Sequence, residues 1–561
     1  MTEPDTRTQA TRTFATLDRR AFLRRLGIAG AGAALAPALV RDPAAAQADP
    51  TLAPFLHGVA SGDPLPDGVV IWTRVTTDQP GPVPVDWLVA RDLELTDVVA
   101  SGTANAGVER DFTVKIDVAG LAPGTWYFYA FEALGTRSLI GRTKTAPSGA
   151  VERLRFGVVS CSNYQAGFFN AYAALAERHD LDAVLHLGDY LYEGGASAGA
   201  RTNFAEDRSH RPENEIVALA DYRQRYAQYR LDPDLRRAHQ LFPWVTTWDD
   251  HESANNSWRD GAGNHTPGAE GDWPVRKGWA QQAYEEWLPI RVDDPARIYR
   301  SLRYGELADL IVLDTRLDGR DEQVGSELMV LFEDEVRNPD RQLISPEQRE
   351  FWHGELSASA DRGTRWRIVA QQVMLAPLNV VALPNVEELL GVELPDAPLF
   401  LLDGPAAAIN PDQWDGYTVE RDRFYDHLRA AAIDNVVVLT GDIHTSWASD
   451  LTPDPVNPLV APLGVEFVAT SVTSSGFENI LGSVEAARVA EPAVQVTNPH
   501  IKYVDLTRRG YLLLDVSAER VQGEWYLSEP VQATRGMVPA FAAAWQTVDG
   551  SNRLSPGTGP A

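Results

Sequence analysis

Four short stretches carry acids, imidazoles, one thiol and one phenol at spacings that can assemble a metal cluster: Ser160-Cys161, Gly188-Asp189-x-x-Tyr192, Trp248-Asp249-Asp250-His251-Glu252 and Thr440-Gly441-Asp442-Ile443-His444. Asp189 offers a carboxylate able to bridge two metals, and Tyr192, once deprotonated, is a hard anionic donor for a ferric ion. Asp442 and His444 lie on alternate residues, so both can turn toward one side of a strand end. Asp249, Asp250 and His251 add oxygen and nitrogen donors, with Asn255 and Asn256 close behind. Hard oxygen donors with one or two imidazoles suit calcium and first-row di- or trivalent metals, and a lone thiolate pushes one site toward iron or zinc. Each stretch alone has a structural use, since a Gly-Asp pair at a strand end is a common turn. The four together in one chain are the signal.

The elements that must position these residues follow from hydrophobic runs. Leu154 to Val159 and Ala183 to Leu187 are short, apolar and bounded by polar residues, as buried parallel strands are, while Phe168, Tyr172, Leu175 and Ala176 between them recur at helical spacing. The unit is βαβ, and it delivers Cys161 and Asp189 to the carboxyl ends of neighbouring strands, where open α/β sheets place ligands. Later apolar runs end at Trp248-Asp249-Asp250, Leu313-Asp314-Thr315-Arg316, Ala370-Gln371-Gln372 and Leu439-Thr440-Gly441-Asp442, which predicts a layered α/β domain over 151–530. Before it, residues 50–147 have β character, as in Val69 to Arg74 and Trp126 to Tyr129, and read as a small sandwich. Segment 379–417 is rich in Pro, Asn and Asp and ends in Asp412-Gln413-Trp414-Asp415-Gly416-Tyr417, a loop able to fold over a pocket. Residues 531–561 read as a C-terminal helix, apolar over Met537 to Trp545, followed by a disordered tail.

The net charge of −28 over 561 residues argues against nucleic acid as a partner, because a polyanion is bound by clustered Lys and Arg. An anionic substrate would need local positive charge, which metal supplies. Cys161 is the single cysteine, so an internal disulfide is excluded, and an exported thiol is best explained as buried or metal-bound. Asp18-Arg19-Arg20-Ala21-Phe22-Leu23-Arg24, the apolar run Leu26 to Val40 and the triplet Ala46-Gln47-Ala48 have the layout of a Tat-type export signal over residues 1–48. The run is too short and too rich in Gly and Ala for a membrane anchor. The expectation is a secreted, periplasmic or cell-wall protein whose transient partner is the Tat machinery, with no stable membrane anchor. Nothing in the sequence bears on oligomeric state.

The order of these motifs, with His57-Gly58-Val59-Ala60-Ser61-Gly62-Asp63-Pro64 and Trp414-Asp415-Gly416-Tyr417, resembles the metallophosphoesterases, and in particular the alkaline phosphatase D (PhoD-like) family, over residues 15–530. The resemblance implies an α/β fold, with a four-layer αββα metallophosphoesterase-like catalytic domain preceded by a small fibronectin/Ig-like β-sandwich. It implies an iron centre (Fe3+) with one or more calcium ions (Ca2+). Carried over by motif, Cys161, Asp189 and Tyr192 would hold the ferric ion with help from Asp442 and His444, and Asp189 would also bridge to calcium. Asp250 stands where many metallophosphoesterases have Asn, so Asn256 or Asn255 is the candidate amide ligand. The division of Asp442 and His444 between the metals stays open.

The implied function is an exported, metal-dependent phosphoesterase hydrolysing phosphomonoesters and phosphodiesters through in-line attack of a metal-bound hydroxide or oxide. His251 is placed to stabilise a phosphoryl oxygen or protonate the leaving alkoxide. Arg316 is the candidate for a bidentate phosphate contact, with a structural Asp–Arg pair as its alternative. The alternatives are a phospholipase D-type diesterase acting on phospholipids, or a non-catalytic envelope-binding protein. Serine-nucleophile chemistry would need an elbow motif, and none is visible around Ser160.

Overall fold

The structure, a computed structural model, describes residues 48–196, 204, 206–325, 333–380, 407–408, 410–455 and 457–561. The expected export signal, except Ala48, and the centre of segment 379–417 lie outside the described residues.

The amino-terminal strands are β1 (Val59–Leu65), β2 (Gly68–Arg74), β3 (Val83–Ala90), β4 (Val98–Ala106), β5 (Thr113–Ala119), β6 (Trp126–Ala133) and β7 (Gly141–Lys144). They are followed by β8 (Arg153–Val159), α1 (Asn170–Ala176), β9 (Ala183–His186), α2 (Leu219–Leu231), α3 (Pro233–Leu241), β10 (Pro243–Thr246) and α4 (Trp273–Trp287). A second set comprises β11 (Arg300–Tyr304), β12 (Ala308–Val312), α5 (Pro346–Asp361), β13 (Trp366–Ala370), α6 (Thr418–Ala430), β14 (Val436–Thr440), β15 (Ser446–Leu451), β16 (Gly464–Val468), α7 (Val484–Thr497) and β17 (Ile501–Asp505). The chain then returns to the first sheet with β18 (Arg509–Ser517), β19 (Arg520–Ser528), β20 (Ala540–Val548) and β21 (Leu554–Pro556).

Two large sheets result. One has ten strands in the order β21-β20-β19-β18-β8-β9-β10-β1-β2-β5, and the other seven in the order β11-β12-β13-β14-β16-β15-β17. Strands β8, β9, β10 and β1 run parallel, as do β12, β13, β14 and β16. Strand register aligns the carboxyl ends: His186 stands opposite both Val159 and Thr246, and Ala370 opposite both Val312 and Leu439. Every loop that follows these strands therefore opens on the same rim.

Side chains alternate across the strands, so each sheet buries both faces. Phe156, Val158, Leu185, Leu310, Ile368, Leu439, Phe467 and Leu512 meet in a core between the two sheets. The outer face of the first sheet packs Val159, Val184 and Trp244 against Tyr172, Tyr226 and Trp287 of α1, α2 and α4. The outer face of the second packs Ile311, Val369 and Val438 against Trp352 of α5 and Phe424 of α6. The order across the molecule is helices, sheet, sheet, helices.

The amino-terminal region is joined to this core by backbone pairing. β1 pairs in parallel with β10, Ser61 opposite Pro243, so β1, β2 and β5 prolong the ten-stranded sheet. The sheet of β3, β4, β6 and β7 packs over that extension through Val59, Ile71, Val85, Tyr127 and Phe131. One wall of the two-sheet packing is thus also the edge of the sheet that carries the strand-end loops.

The expected C-terminal helix and disordered tail are corrected. Residues Ala540–Val548 form a strand, paired antiparallel with β19 through Trp545 opposite Gly523, and β21 pairs with β20 in turn. Phe541, Ala543, Trp545 and Thr547 have the period of a strand, and a nine-residue helix alone is marginal in water, so non-local pairing overrides the alanine-rich local preference. The last residues are also held: Ala561 donates its N–H to Glu524 at 2.7 Å, and its carbonyl accepts from Arg155 at 2.6 Å.

Candidate active site

At the shared rim, five of the sequence-predicted site residues take a left-handed backbone: Cys161 (φ 59°), Asp189 (57°), Asn256 (53°), Asp442 (57°) and His444 (64°). Each such non-glycine residue costs of order 1 kcal/mol, and such strain clusters where geometry is dictated by function. The preceding glycines have a steric reason. A Cβ on Gly188 (φ 104°) would lie 2.3 Å from Cβ of Asp249, and one on Gly441 would lie 2.9 Å from Cβ of Ser160. Glycine thus lets the loops of separate strands close on one another.

Three donor groups, each with its atoms within 4.8 Å of one another, form at this rim: Cys161, Asp189 and His444; Asp189, Asp250 and His251; Asp249, Asp250 and Asp442. They share Asp189 and Asp250, so they are one continuous cluster. Tyr192 joins the first group, its hydroxyl 2.9 Å from Asp189 Oδ2 and 3.1 Å from His444 Nε2. Ser474 donates to the same phenolic oxygen at 2.6 Å. His444 Nδ1 lies 2.8 Å from the carbonyl of Ser475, an acceptor only, so Nδ1 carries the proton and Nε2 presents its lone pair to the cluster. Burial holds His444 down to about 4, in the neutral form a ligand needs.

The donors fit a multinuclear metal site. Asp189, Asp249 and Asp250 are buried, Asp442 is half-buried beside them, and Asp249 Oδ2 has no hydrogen-bond partner among the described residues. Burial pushes the carboxyls of Asp189, Asp249 and Asp442 above the ordinary range, with the neighbouring carboxylates adding to it. Burial likewise pushes the Cys161 thiol up, so thiolate there calls for a cation. The first group mixes thiol, phenol, imidazole and carboxylate, whereas the third is all oxygen.

His251 lines the cavity over the cluster, its ring 4.0 Å from that of Tyr192 between centroids. Its Nδ1 lies 2.6 Å from Glu193 Oε2. Burial works against a charged imidazole here, but Glu193, then Asp189 and Asp250, outweigh it and raise His251 well above the ordinary value. Glu193 is fixed in turn by the Asn255 amide at 2.8 Å and Asn264 Nδ2 at 2.9 Å. Asp250 accepts from the amides of His251 (2.8 Å) and Asn256 (2.6 Å), and both Asn255 and Asn256 face the cavity.

Arg316 is a correction to the expected phosphate contact. Its guanidinium is fully buried and committed to three carboxylates, those of Asp249, Asp442 and Asp412, the last at 2.8 Å to both oxygens. It is not among the residues lining the cavity. With its Nε, Nη1 and Nη2 each engaged by a carboxylate, the guanidinium holds ligand-bearing loops together.

Sequence reasoning missed four supporting residues. Glu252 stood inside a quoted motif and Glu193 directly after one, both without a role, and Asp412 and Gln413 stood in the loop expected over the pocket. Gln413 donates to Asp442 Oδ2 at 2.5 Å and accepts from the Met374 amide. Among the described residues, the cavity of about 240 Å³ is lined by Asp189, Asp250, His251, Asp412, Asp442 and His444, and also by Ile443, Phe477 and Ile480. None of residues 531–561 lines it, so no C-terminal plug covers the described site.

Comparison with known proteins agrees in extent with this architecture. Residues 156–525 match the family model of the PhoD-like phosphatase, and residues 41–147 that of the PhoD-like phosphatase N-terminal domain. The chain is 35% identical over 536 residues to alkaline phosphatase D of Bacillus subtilis (strain 168), covering 92% of this chain and 86% of that protein. A solved structure of PhoD superposes with a TM-score of 0.78 at 32% sequence identity, covering 91% of this chain and 94% of that one.

Proposed function

Because the chain belongs to the PhoD-like phosphatase family, and is therefore a phosphoric ester hydrolase, we propose that it is an exported, metal-dependent enzyme acting on phosphomonoesters and phosphodiesters. The proposed fold of residues 151–530 is the four-layer αββα metallophosphoesterase arrangement, with 50–147 as the framing sandwich and 1–48 as a Tat signal. The observation that carries metal dependence is the continuous cluster of donor groups sharing Asp189 and Asp250. Cys161, Asp189, Tyr192 and His444 would hold Fe3+, while Asp189, Asp249, Asp250, Asp442 and Asn256 would hold Ca2+. When bound, these ions supply the positive charge that neutralises a phosphate and activates the attacking oxygen.

The chain's own residues supply the rest. His251, kept protonated by Glu193, faces the cavity and can donate to a phosphoryl oxygen or to the departing alkoxide. The Tyr192 ring lies against it, tilted by 34°, and restricts its ring. Arg316 and Gln413 orient Asp442, and the Asn256 amide orients Asp250.

The test is elemental analysis of the purified protein by mass spectrometry together with hydrolysis of an aryl phosphate and a bis-aryl phosphate. Iron and calcium at defined stoichiometry, with activity lost on chelation and restored by the metals, are expected. A metal-free protein that hydrolyses both esters would sink the metal assignment. A panel that includes phosphatidylcholine separates a phospholipase D-type diesterase from the broader reading.

A further inference from the structure

Arg230, near the end of α2, lies where the amino-terminal strands meet the helices, and its side chain is fully buried. Its Cζ sits over the ring of Trp72 in β2, 4.6 Å from the centroid. A ring beneath the guanidinium satisfies its face and leaves the in-plane N–H groups to find acceptors at the edges. Nη2 has only long contacts, to the carbonyls of His57 (3.3 Å) and Val59 (3.5 Å). Nε and Nη1 have no hydrogen-bond partner among the described residues.

Other buried arginines of this chain are compensated. Arg276, Arg316 and Arg320 pair with carboxylates. Arg225 has no carboxylate partner, but its Nε, Nη1 and Nη2 all donate to backbone carbonyls. Arg230 has neither arrangement, and Asp232, two residues on, is committed to Arg208 and Arg535.

The surroundings of Arg230 offer protons and further positive charge. Trp287 lies beside Trp72, ring centroids 5.7 Å apart, and its Nε1, a donor only, is unpartnered among the described residues. The hydroxyl of Tyr226, whose ring stacks on Trp287, and Nδ1 of His57, whose ring meets Trp287 edge-on, are unpartnered as well. Burial, then Arg74, Arg230 and Arg236, push the His57 imidazole well below its ordinary value, so it is neutral. Burial raises the Tyr190 phenol to about 12 against the pull of Arg230, so it supplies no negative charge either.

We propose that a small monovalent anion of the halide class binds at Arg230, among the unpartnered donors of Trp287, Tyr226 and His57, and fastens the amino-terminal strands to the helices. A guanidinium taken out of water without a counter-charge is strongly unfavourable. A water molecule would accept its protons and leave the charge, whereas a halide answers both. The site is separate from the catalytic cluster, since none of these residues belongs to a donor group or lines the cavity there.

Crystals of the metal-loaded protein grown with bromide in place of chloride should show an anomalous peak within hydrogen-bonding reach of Arg230 Nε or Nη1. In solution at constant ionic strength, with gluconate as the balancing ion, the thermal midpoint should rise with chloride by about 2 °C and then level off. Arg230→Gln, which removes the charge, should unfold at a lower midpoint that no longer responds to chloride. Ordered water without bromide at Arg230 would overturn the site, as would a wild-type midpoint indifferent to chloride or an Arg230→Gln variant that responds as the wild type does. If Arg230→Gln does not fold, the bromide peak and the chloride response of the wild type decide the matter.

Discussion

Glu252 accepts the backbone N–H of Asp189 at 3.0 Å, and the same oxygen accepts that of Asp249 at 2.7 Å. Its other oxygen takes the Tyr190 amide at 2.5 Å. One buried carboxylate thus clamps two separate strand-end loops at the residues that contribute donors. Glu252→Gln keeps shape but replaces one acceptor oxygen with an NH2 group facing an N–H. The variant should fold, as judged by circular dichroism, yet bind metal about 10- to 100-fold more weakly. Retention of full metal content at limiting metal would refute the clamp.

Cys161 and Asp189 differ in how many donor groups they serve. Cys161 belongs to one, and Asp189 to two. Cys161→Ala should lose iron and keep calcium, whereas Asp189→Ala should lose both. Mass-spectrometric metal counts on the two variants decide this, and identical losses would show that the cluster does not divide in this way.

Glu193 pairs with His251 without belonging to any donor group, so its effect on the imidazole is separable from ligation. The carboxylate raises the His251 pKa, and an acid catalyst works only below its own pKa. In Glu193→Gln the alkaline limb of the pH–rate profile should therefore move to lower pH, by about one unit or more. An unmoved limb would remove His251 from the role of proton donor.

Burial holds two imidazoles outside the donor groups neutral in the fold, His186 at about 3 and His500 at about 4. His186 lies 2.9 Å from the Tyr172 hydroxyl, and His500 donates to the Pro377 carbonyl at 2.8 Å. Their folded values lie below the unfolded value near 6.5, so their contribution is fully present above pH 6.5 and lost as pH falls toward 4 and 3. Each should cost about 1 kcal/mol of stability per pH unit below 6.5. Guanidinium midpoints at pH 8 and pH 5 measure this, and equal midpoints would contradict it.

Much of the site was legible in one dimension because each donor directly follows a strand, and strands announce themselves as short β-branched runs. The Gly-Asp pairs at 188–189 and 441–442 were visible for the same reason, although only the folded chain shows that Asp249 and Ser160 occupy the space a Cβ would need. The role of Arg316 was not legible. Asp314, two residues away, was the apparent partner, whereas the observed ones are Asp249, Asp412 and Asp442, brought in from distant loops. The strand at Ala540–Val548 was missed because its stability lies in pairing with Arg520–Ser528, which a local window over an alanine-rich stretch cannot register. The sequence by itself determined which residue types end the strands, since hydrophobic periodicity is local. Only the tertiary structure decided which of them share an atom's reach and which carboxylates Arg316 neutralises, because those are contacts between segments far apart in the chain.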